Sequence, residues 1–157
     1  MHGTVVVRGD DAFVRATIEA LELLKAKTPD VYALLERHIG DIVSGKPSGV
    51  VVIGLARFPT TLVVMGPAYS QRSMVKNAGA LAHETYHCEL YRRAEQLAPG
   101  RPVPIHAYSG EYAETLCLRY QCDVLKRLGL DEAEVDRYER SSLESRWWEV
   151  PFDQQSW

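Results

Sequence analysis

The chain has 157 residues, 46% of them hydrophobic and 25% charged, which is the length and composition of one globular domain. This composition excludes a disordered chain, a collagen-like fibre and a disulfide scaffold. The net charge of −3 argues against a nucleic-acid partner, and no stretch approaches the roughly 20 apolar residues that cross a bilayer. Three cysteines and an N-terminus without a secretory signal predict a cytoplasmic protein with a single domain over 1–157.

Capping residues and apolar spacing predict the elements of the N-terminal half. Thr28-Pro29 has the residue types that begin a helix, and apolar side chains at steps of three and four extend it through Ile39 and Ile42. Runs of β-branched residues predict strands. In chain order we predict a strand over 3–8, a helix from Asp10 or Asp11, a second helix from Thr28 to near Gly45, and a hairpin of strands over 49–56 and 61–65.

Three further helices are predicted in the C-terminal half. Gly129 has the residue type that follows a helix, and Asp131 has the type that begins one. The aromatic tail, which contains Trp147, Trp148 and Trp157, is expected to lie back on the body. With these elements we predict an α+β fold, a small antiparallel sheet with four to five helices. The helices run from Ser73 to about Leu97, from Ser109 to Leu128, and from Asp131 to about Arg146.

The sequence H-E-x-x-H spans residues 83–87, within the helix predicted from Ser73. Four residues of helix bring His83 and His87 within roughly 40° of each other on one face, where both imidazoles can bind one metal ion. Glu84 lies one step round the helix, where its carboxylate can accept a proton from a water at the metal. The small residues that precede the motif suit a central, buried helix.

A catalytic zinc site takes three protein ligands and keeps a fourth position open. The next predicted helix offers Glu111 and Glu114, which are three residues apart and therefore share a face. The chain between His87 and these glutamates is long enough for a turn and an antiparallel return. From spacing alone, either glutamate is a candidate third ligand.

With these residues the sequence resembles the gluzincin branch of zinc metallopeptidases, in which a ligand glutamate on a second helix follows H-E-x-x-H. The resemblance covers roughly 73–129 and implies a zincin-like domain that holds one zinc ion per chain. In that branch a small residue often follows the ligand glutamate by three positions. Cys117 meets this requirement for Glu114, whereas Glu114 itself stands in that place for Glu111. The resemblance therefore favours Glu114 as the ligand, with Glu111 as the alternative.

The resemblance also implies how a substrate would be held. In such enzymes an edge strand above the zinc aligns an extended peptide, and residues 50–55 or 61–65 would serve here by strand addition. His106 and Tyr108, in the loop before the second site helix, are candidate oxyanion stabilisers. Their alternative roles are those of an exposed loop histidine and a packing tyrosine. The longer metzincin form of the motif, which carries a third histidine, is absent.

The remaining cysteines and histidines are assigned no role in the site. One residue of helix turns Cys88 about 100° away from the metal face. Free cysteines are usually small buried side chains, and this role is expected for Cys88, Cys117 and Cys122. The sequence indicates no partner for His2 or His38, and both are expected at the surface.

These features predict a zinc-dependent hydrolase, a minimal metallopeptidase. His83, His87 and Glu114 would hold the metal, and Glu84 would be the general base. The expected partner is a peptide or protein substrate, with neither nucleic acid nor membrane involved. One alternative is a non-catalytic zinc-binding domain, in which the same residues stabilise the fold or a protein interface. Another is an interaction protein that has kept the architecture without needing metal.

Overall fold

The computed structural model describes residues 5–45, 49–52 and 61–149, and these contain five α-helices and four β-strands in an α+β arrangement. The helices are α1 (Asp11–Lys27), α2 (Pro29–His38), α3 (Met74–Leu97), α4 (Glu111–Arg127) and α5 (Glu132–Ser145). The strands are β1 (Val6–Arg8), β2 (Ile39–Ser44), β3 (Gly49–Val52) and β4 (Thr61–Met65). Short 3-10 helices cover Pro67–Gln71, Ile105–Ala107 and Trp147–Glu149.

The four strands form one mixed sheet in the order β1-β2-β4-β3. β1 pairs with β2 and β2 pairs with β4 in parallel, whereas β3 pairs antiparallel with β4. The predicted hairpin is confirmed for β3 and β4, and the prediction of a wholly antiparallel sheet is wrong. The physical reason is that α1 and α2 lie between β1 and β2, and a helical crossover of this kind returns the chain in the same direction.

The predicted second helix consists of two elements, so its predicted end near Gly45 is wrong. α2 ends at His38, and Ile39 is extended, with φ −107° and ψ 121°. Gly40 weakens a helix at this point, and the sheet offers β2 pairing on both edges. A register irregularity between Ile39 and Asp41 lets both Ile39 and Ile42 face the core. The apolar side chains of Ile39 and Ile42 are therefore buried as the spacing predicts, but in a strand and not in a helix.

α3 is the central helix, and it packs against α1, α2 and, most extensively, α4. It begins after Ser73 and ends at Leu97, as predicted. Gly79 permits the close approach of α4, because a Cβ atom at this position would lie 2.7 Å from Cδ2 of Leu125. The small residues before the H-E-x-x-H motif thus bring the two helices together.

α4 begins at Glu111, two residues after the predicted start at Ser109. Gly110 precedes it with a φ of 86°, in the left-handed region that favours glycine. Both Glu111 and Glu114 consequently lie in the first turn of α4. This turn faces the middle of α3.

The C-terminal part packs on the body as far as it is described. Asp131 caps α5 by accepting a hydrogen bond from the Glu134 amide at 3.2 Å, and α5 has the predicted start. Trp147 packs against a buried cluster that includes Val135, so the expected contact of the tail is confirmed for this residue. Trp157 lies outside the described residues. Within the described ranges, no helix combines the length and apolarity needed to span a membrane.

Candidate metal centre

Two histidines of α3 face the first turn of α4. His83 and His87 are both buried, and their Nε2 atoms lie 3.1 Å apart. They are separated by one turn of helix, and their ring centroids are 4.8 Å apart. The H-E-x-x-H motif therefore presents two imidazole nitrogens to the same point.

Glu114 of α4 supplies a third atom at this point. Its Oε2 lies 3.2 Å from Nε2 of His83 and 3.4 Å from Nε2 of His87. In a tetrahedral zinc site with ligand distances of about 2.0–2.1 Å, any two ligand atoms are about 3.3 Å apart. The triangle of two nitrogens and one oxygen has the size of one face of such a site. These residues therefore fit a divalent metal ion.

A hydrogen bond behind the ring orients His87. Its Nδ1 donates to the carbonyl oxygen of Tyr108 at 2.8 Å, so in the neutral imidazole Nε2 carries the lone pair. Histidines that bind metals are commonly held by such an acceptor. Nδ1 of His83 is also buried and has no hydrogen-bond partner within the described part of the chain.

The centre attracts positive charge. Of the described residues, no lysine or arginine pairs with Glu114, whose ionic partners are His83 and His87. Burial raises the pKa of Glu114, but hydrogen bonds from these histidines outweigh it and hold the pKa well below its usual range. Burial also disfavours charge on His87, yet hydrogen bonds with Cys117 and Glu114 raise its pKa well above the usual value. A proton or a metal ion must lie among atoms whose lone pairs converge so closely.

Glu84, the candidate general base, is half-buried and interacts electrostatically with this triangle. Burial raises its pKa, the charge of Glu114 adds to the effect, and His83 and His87 oppose it. Neighbouring carboxyl groups with oppositely shifted pKa values are suited to different roles. The lowered pKa suits Glu114 to stay anionic, and the raised pKa suits Glu84 to exchange a proton.

Cys117 belongs to the centre, although the sequence analysis treated it only as a small packing residue. It is fully buried on α4, one turn after Glu114. Its Sγ and one ring nitrogen each of His83 and His87 all lie within 4.8 Å of one another, and the thiol interacts electrostatically with His87. The three-residue spacing from Glu114 is the signal that could have revealed it.

Glu111, the alternative third ligand, points away from the two histidines. Its side chain is 68% exposed and its carboxylate lies 3.6 Å from the Arg146 guanidinium, whereas the Glu114 side chain is 14% exposed. Of the two glutamates, the structure brings Glu114 to His83 and His87.

The loop before α4 and the segment after α5 border the centre. Tyr108 reaches it through its backbone carbonyl, while its ring packs edge-on against Tyr91 with centroids 5.1 Å apart. His106 is exposed in the 3-10 helix of the same loop. The ring of Trp147 lies 6.2 Å from that of His83, a contact that the sequence analysis did not predict. It gives the candidate centre an aromatic neighbour.

The expectation that His38 lies at the surface is wrong. His38 is buried at the end of α2, and its Nε2 donates to Oε2 of Glu89 at 2.6 Å. Oε1 of Glu89 also accepts from Nε of Arg93 at 2.6 Å. This partner could not be identified from local sequence patterns, because Glu89 lies 51 residues further along the chain. His2 is outside the described residues.

Comparison with protein-family models, with curated proteins and with solved structures gave no match for this chain. The interpretation of the centre therefore depends on its own residues.

Proposed function

We propose that the chain is a zinc-dependent metallohydrolase, a minimal zincin-like peptidase of gluzincin type. The observation that carries the proposal is the triangle of Nε2 of His83, Nε2 of His87 and Oε2 of Glu114, with sides of 3.1–3.4 Å. Its size fits a tetrahedral zinc ion. Its anionic carboxylate has no lysine or arginine partner among the described residues.

The residues of the centre divide the chemistry among them. His83, His87 and Glu114 would hold one zinc ion, which when bound polarises a carbonyl group and makes water more acidic. The Glu84 carboxylate would accept a proton from the attacking water and return it to the nitrogen of the leaving amine. Tyr108 would keep the His87 ring in place through its carbonyl oxygen. His106 and the Tyr108 hydroxyl stay candidates for oxyanion stabilisation.

Of the two strands considered for an extended peptide substrate, β3 alone lies at an edge of the sheet, and the other edge is β1. β4 is paired on both sides, by β2 and β3, whereas β3 is the last strand in the sheet order and contacts α3. We therefore favour β3 over β4 for substrate binding by strand addition. Residues 53–55 of the predicted segment 50–55 lie outside the described part of the chain.

We also propose that the protein acts in the cytoplasm. None of Cys88, Cys117 and Cys122, which all lie within the described ranges, forms a disulfide, as expected in a reducing compartment. The expected substrate is a peptide or protein, and the net charge of −3 still argues against nucleic acid.

The substitution Glu84→Gln tests the proposed reaction. It keeps the shape of the side chain but removes its ability to accept a proton. We expect the variant to bind one zinc ion and to lose about 10²–10⁴-fold in the rate of peptide hydrolysis. The measurement is turnover of a fluorogenic peptide library by the zinc-loaded proteins, with Glu111→Gln as the matched control. Full activity in Glu84→Gln would remove this residue from the mechanism.

One observation favours a second function, a non-catalytic zinc-binding domain. The Cys117 thiol adjoins the same histidines, and a site with four protein ligands has the closed coordination that is typical of structural zinc. This function predicts a large loss of thermal stability on chelation and no turnover of any peptide by wild type or by a variant that lacks the thiol.

A further inference from the structure

Cys117 differs from the other two cysteines in what its thiol contacts. The Cys88 thiol, on the residue next to His87, donates to the carbonyl oxygen of Glu84 at 3.2 Å within α3. Cys122 lies in an apolar cluster with Leu118. The Cys117 thiol instead meets the imidazole of His87. Of the three buried thiols, Cys117 alone is grouped with atoms that can bind a metal.

The position of Cys117 on α4 puts it beside the ligand triangle. It follows Glu114 by three residues, so the two side chains share one helical face. Its sulfur lies within 4.8 Å of one ring nitrogen each of His83 and His87. A zinc–sulfur bond is only about 0.2–0.3 Å longer than a zinc–nitrogen bond. Because the sulfur lies this close to both imidazoles, it is placed to reach an ion held between them.

We propose that Cys117 binds the metal as a fourth ligand in the resting protein and closes the position that water must occupy for hydrolysis. This inference rests on the proposed function, because it requires a metal at His83, His87 and Glu114. When the sulfur–metal bond forms, the thiol proton is released to solvent. Hydrolysis then requires the sulfur–metal bond to break, so the wild-type protein is less active than its metal centre permits.

A thiolate ligand also determines which metals the centre prefers. Two imidazoles and a carboxylate accept many divalent ions, whereas a soft sulfur ligand favours zinc over magnesium, manganese or calcium. Removal of the sulfur should weaken zinc binding by at least about tenfold, equivalent to about 1.4 kcal/mol. Manganese binding should be almost unchanged.

Cobalt(II) spectroscopy tests the proposal directly, since a thiolate bound to cobalt gives a charge-transfer band in the near ultraviolet that nitrogen and oxygen ligands do not give. We expect the band in full-length wild type and in the control Cys122→Ser, with about one cobalt per chain. In Cys117→Ser we expect cobalt to bind without the band. The zinc form of Cys117→Ser should hydrolyse peptides several-fold faster than wild type.

The outcomes separate this inference from the function on which it rests. Wild type that binds one cobalt ion without the thiolate band would overturn the role of Cys117 and leave the metallohydrolase intact. Wild type that is folded but binds no cobalt or zinc would overturn both. Absence of the band from wild type overturns the role of Cys117 by itself, so that outcome does not depend on whether Cys117→Ser folds.

Discussion

Two clusters of histidine and glutamate lie along α3, and they balance their charges in different ways. In the first, Glu89 accepts hydrogen bonds from His38 and from Arg93, both at 2.6 Å. In the second, Glu114 meets His83 and His87 and has no lysine or arginine partner within the described residues. The first cluster contains a permanent cation, the Arg93 guanidinium, whereas any positive charge in the second depends on a proton held by an imidazole.

The comparison shows that a low carboxyl pKa does not by itself identify a metal site. Burial raises the pKa of both Glu89 and Glu114, and in both cases hydrogen bonds outweigh burial and lower it. The partners distinguish the two clusters. The Arg93 guanidinium keeps its charge at every ordinary pH, so the Glu89 cluster is complete. Both partners of Glu114 are imidazoles, and each can exchange its proton for a metal ion.

Removal of one carboxylate from each cluster should produce the largest difference in zinc affinity. We expect Glu114→Ala to weaken zinc binding by at least about 100-fold, equivalent to about 2.7 kcal/mol, because one of the ligands is lost. Glu89→Ala and Glu111→Ala should leave the zinc affinity unchanged. Competition with a chromophoric chelator measures all three. A similar loss in Glu89→Ala would mean that the two clusters are not distinct.

Metal removal should lower the stability of the protein, and this effect should require the residues of the second cluster. Zinc at 100 times its Kd contributes about 2.7 kcal/mol to the free energy of unfolding, which raises the Tm of a chain of this size by about 5–10 °C. Thermal unfolding with zinc and then with excess chelator measures the difference. In His83→Ala the shift should vanish, and an undiminished shift there would place the zinc elsewhere.

A substitution in the first cluster should lower the stability of the protein and leave metal binding unchanged. We expect His38→Ala to lower the free energy of unfolding by about 1–2 kcal/mol, since Glu89 loses one buried hydrogen bond and keeps that of Arg93. Urea unfolding of the metal-free protein measures this effect. Unchanged stability would show that the bond between α2 and α3 has no structural importance.

The sequence was most informative where all the residues behind a prediction lie in one helix. α3 has a capping serine, a run of small residues and H-E-x-x-H within one continuous element, and its bounds agree with those predicted. The helical repeat fixes the relation of His83 to His87 without any tertiary information. For this reason the two histidines could be paired from the sequence alone.

The sequence was least informative where tertiary pairing decides the structure. Ile39 and Ile42 are spaced as in a helix, but β2 pairs with β1 and β4, which come from distant parts of the chain. The choice between Glu111 and Glu114 depends on how α4 crosses α3, and spacing does not contain that angle. Cys117 shares a helical face with Glu114, so its position near His87 could be predicted only after Glu114 had been chosen over Glu111.

The metal content of the purified protein tests the central claim most directly. Wild type, His87→Ala and His38→Ala would be loaded with zinc, freed of unbound metal and analysed by mass spectrometry. A metal held by His83, His87 and Glu114 predicts about one zinc per chain in wild type and His38→Ala, and almost none in His87→Ala. Wild type without zinc, or His87→Ala with as much zinc as wild type, would contradict the account.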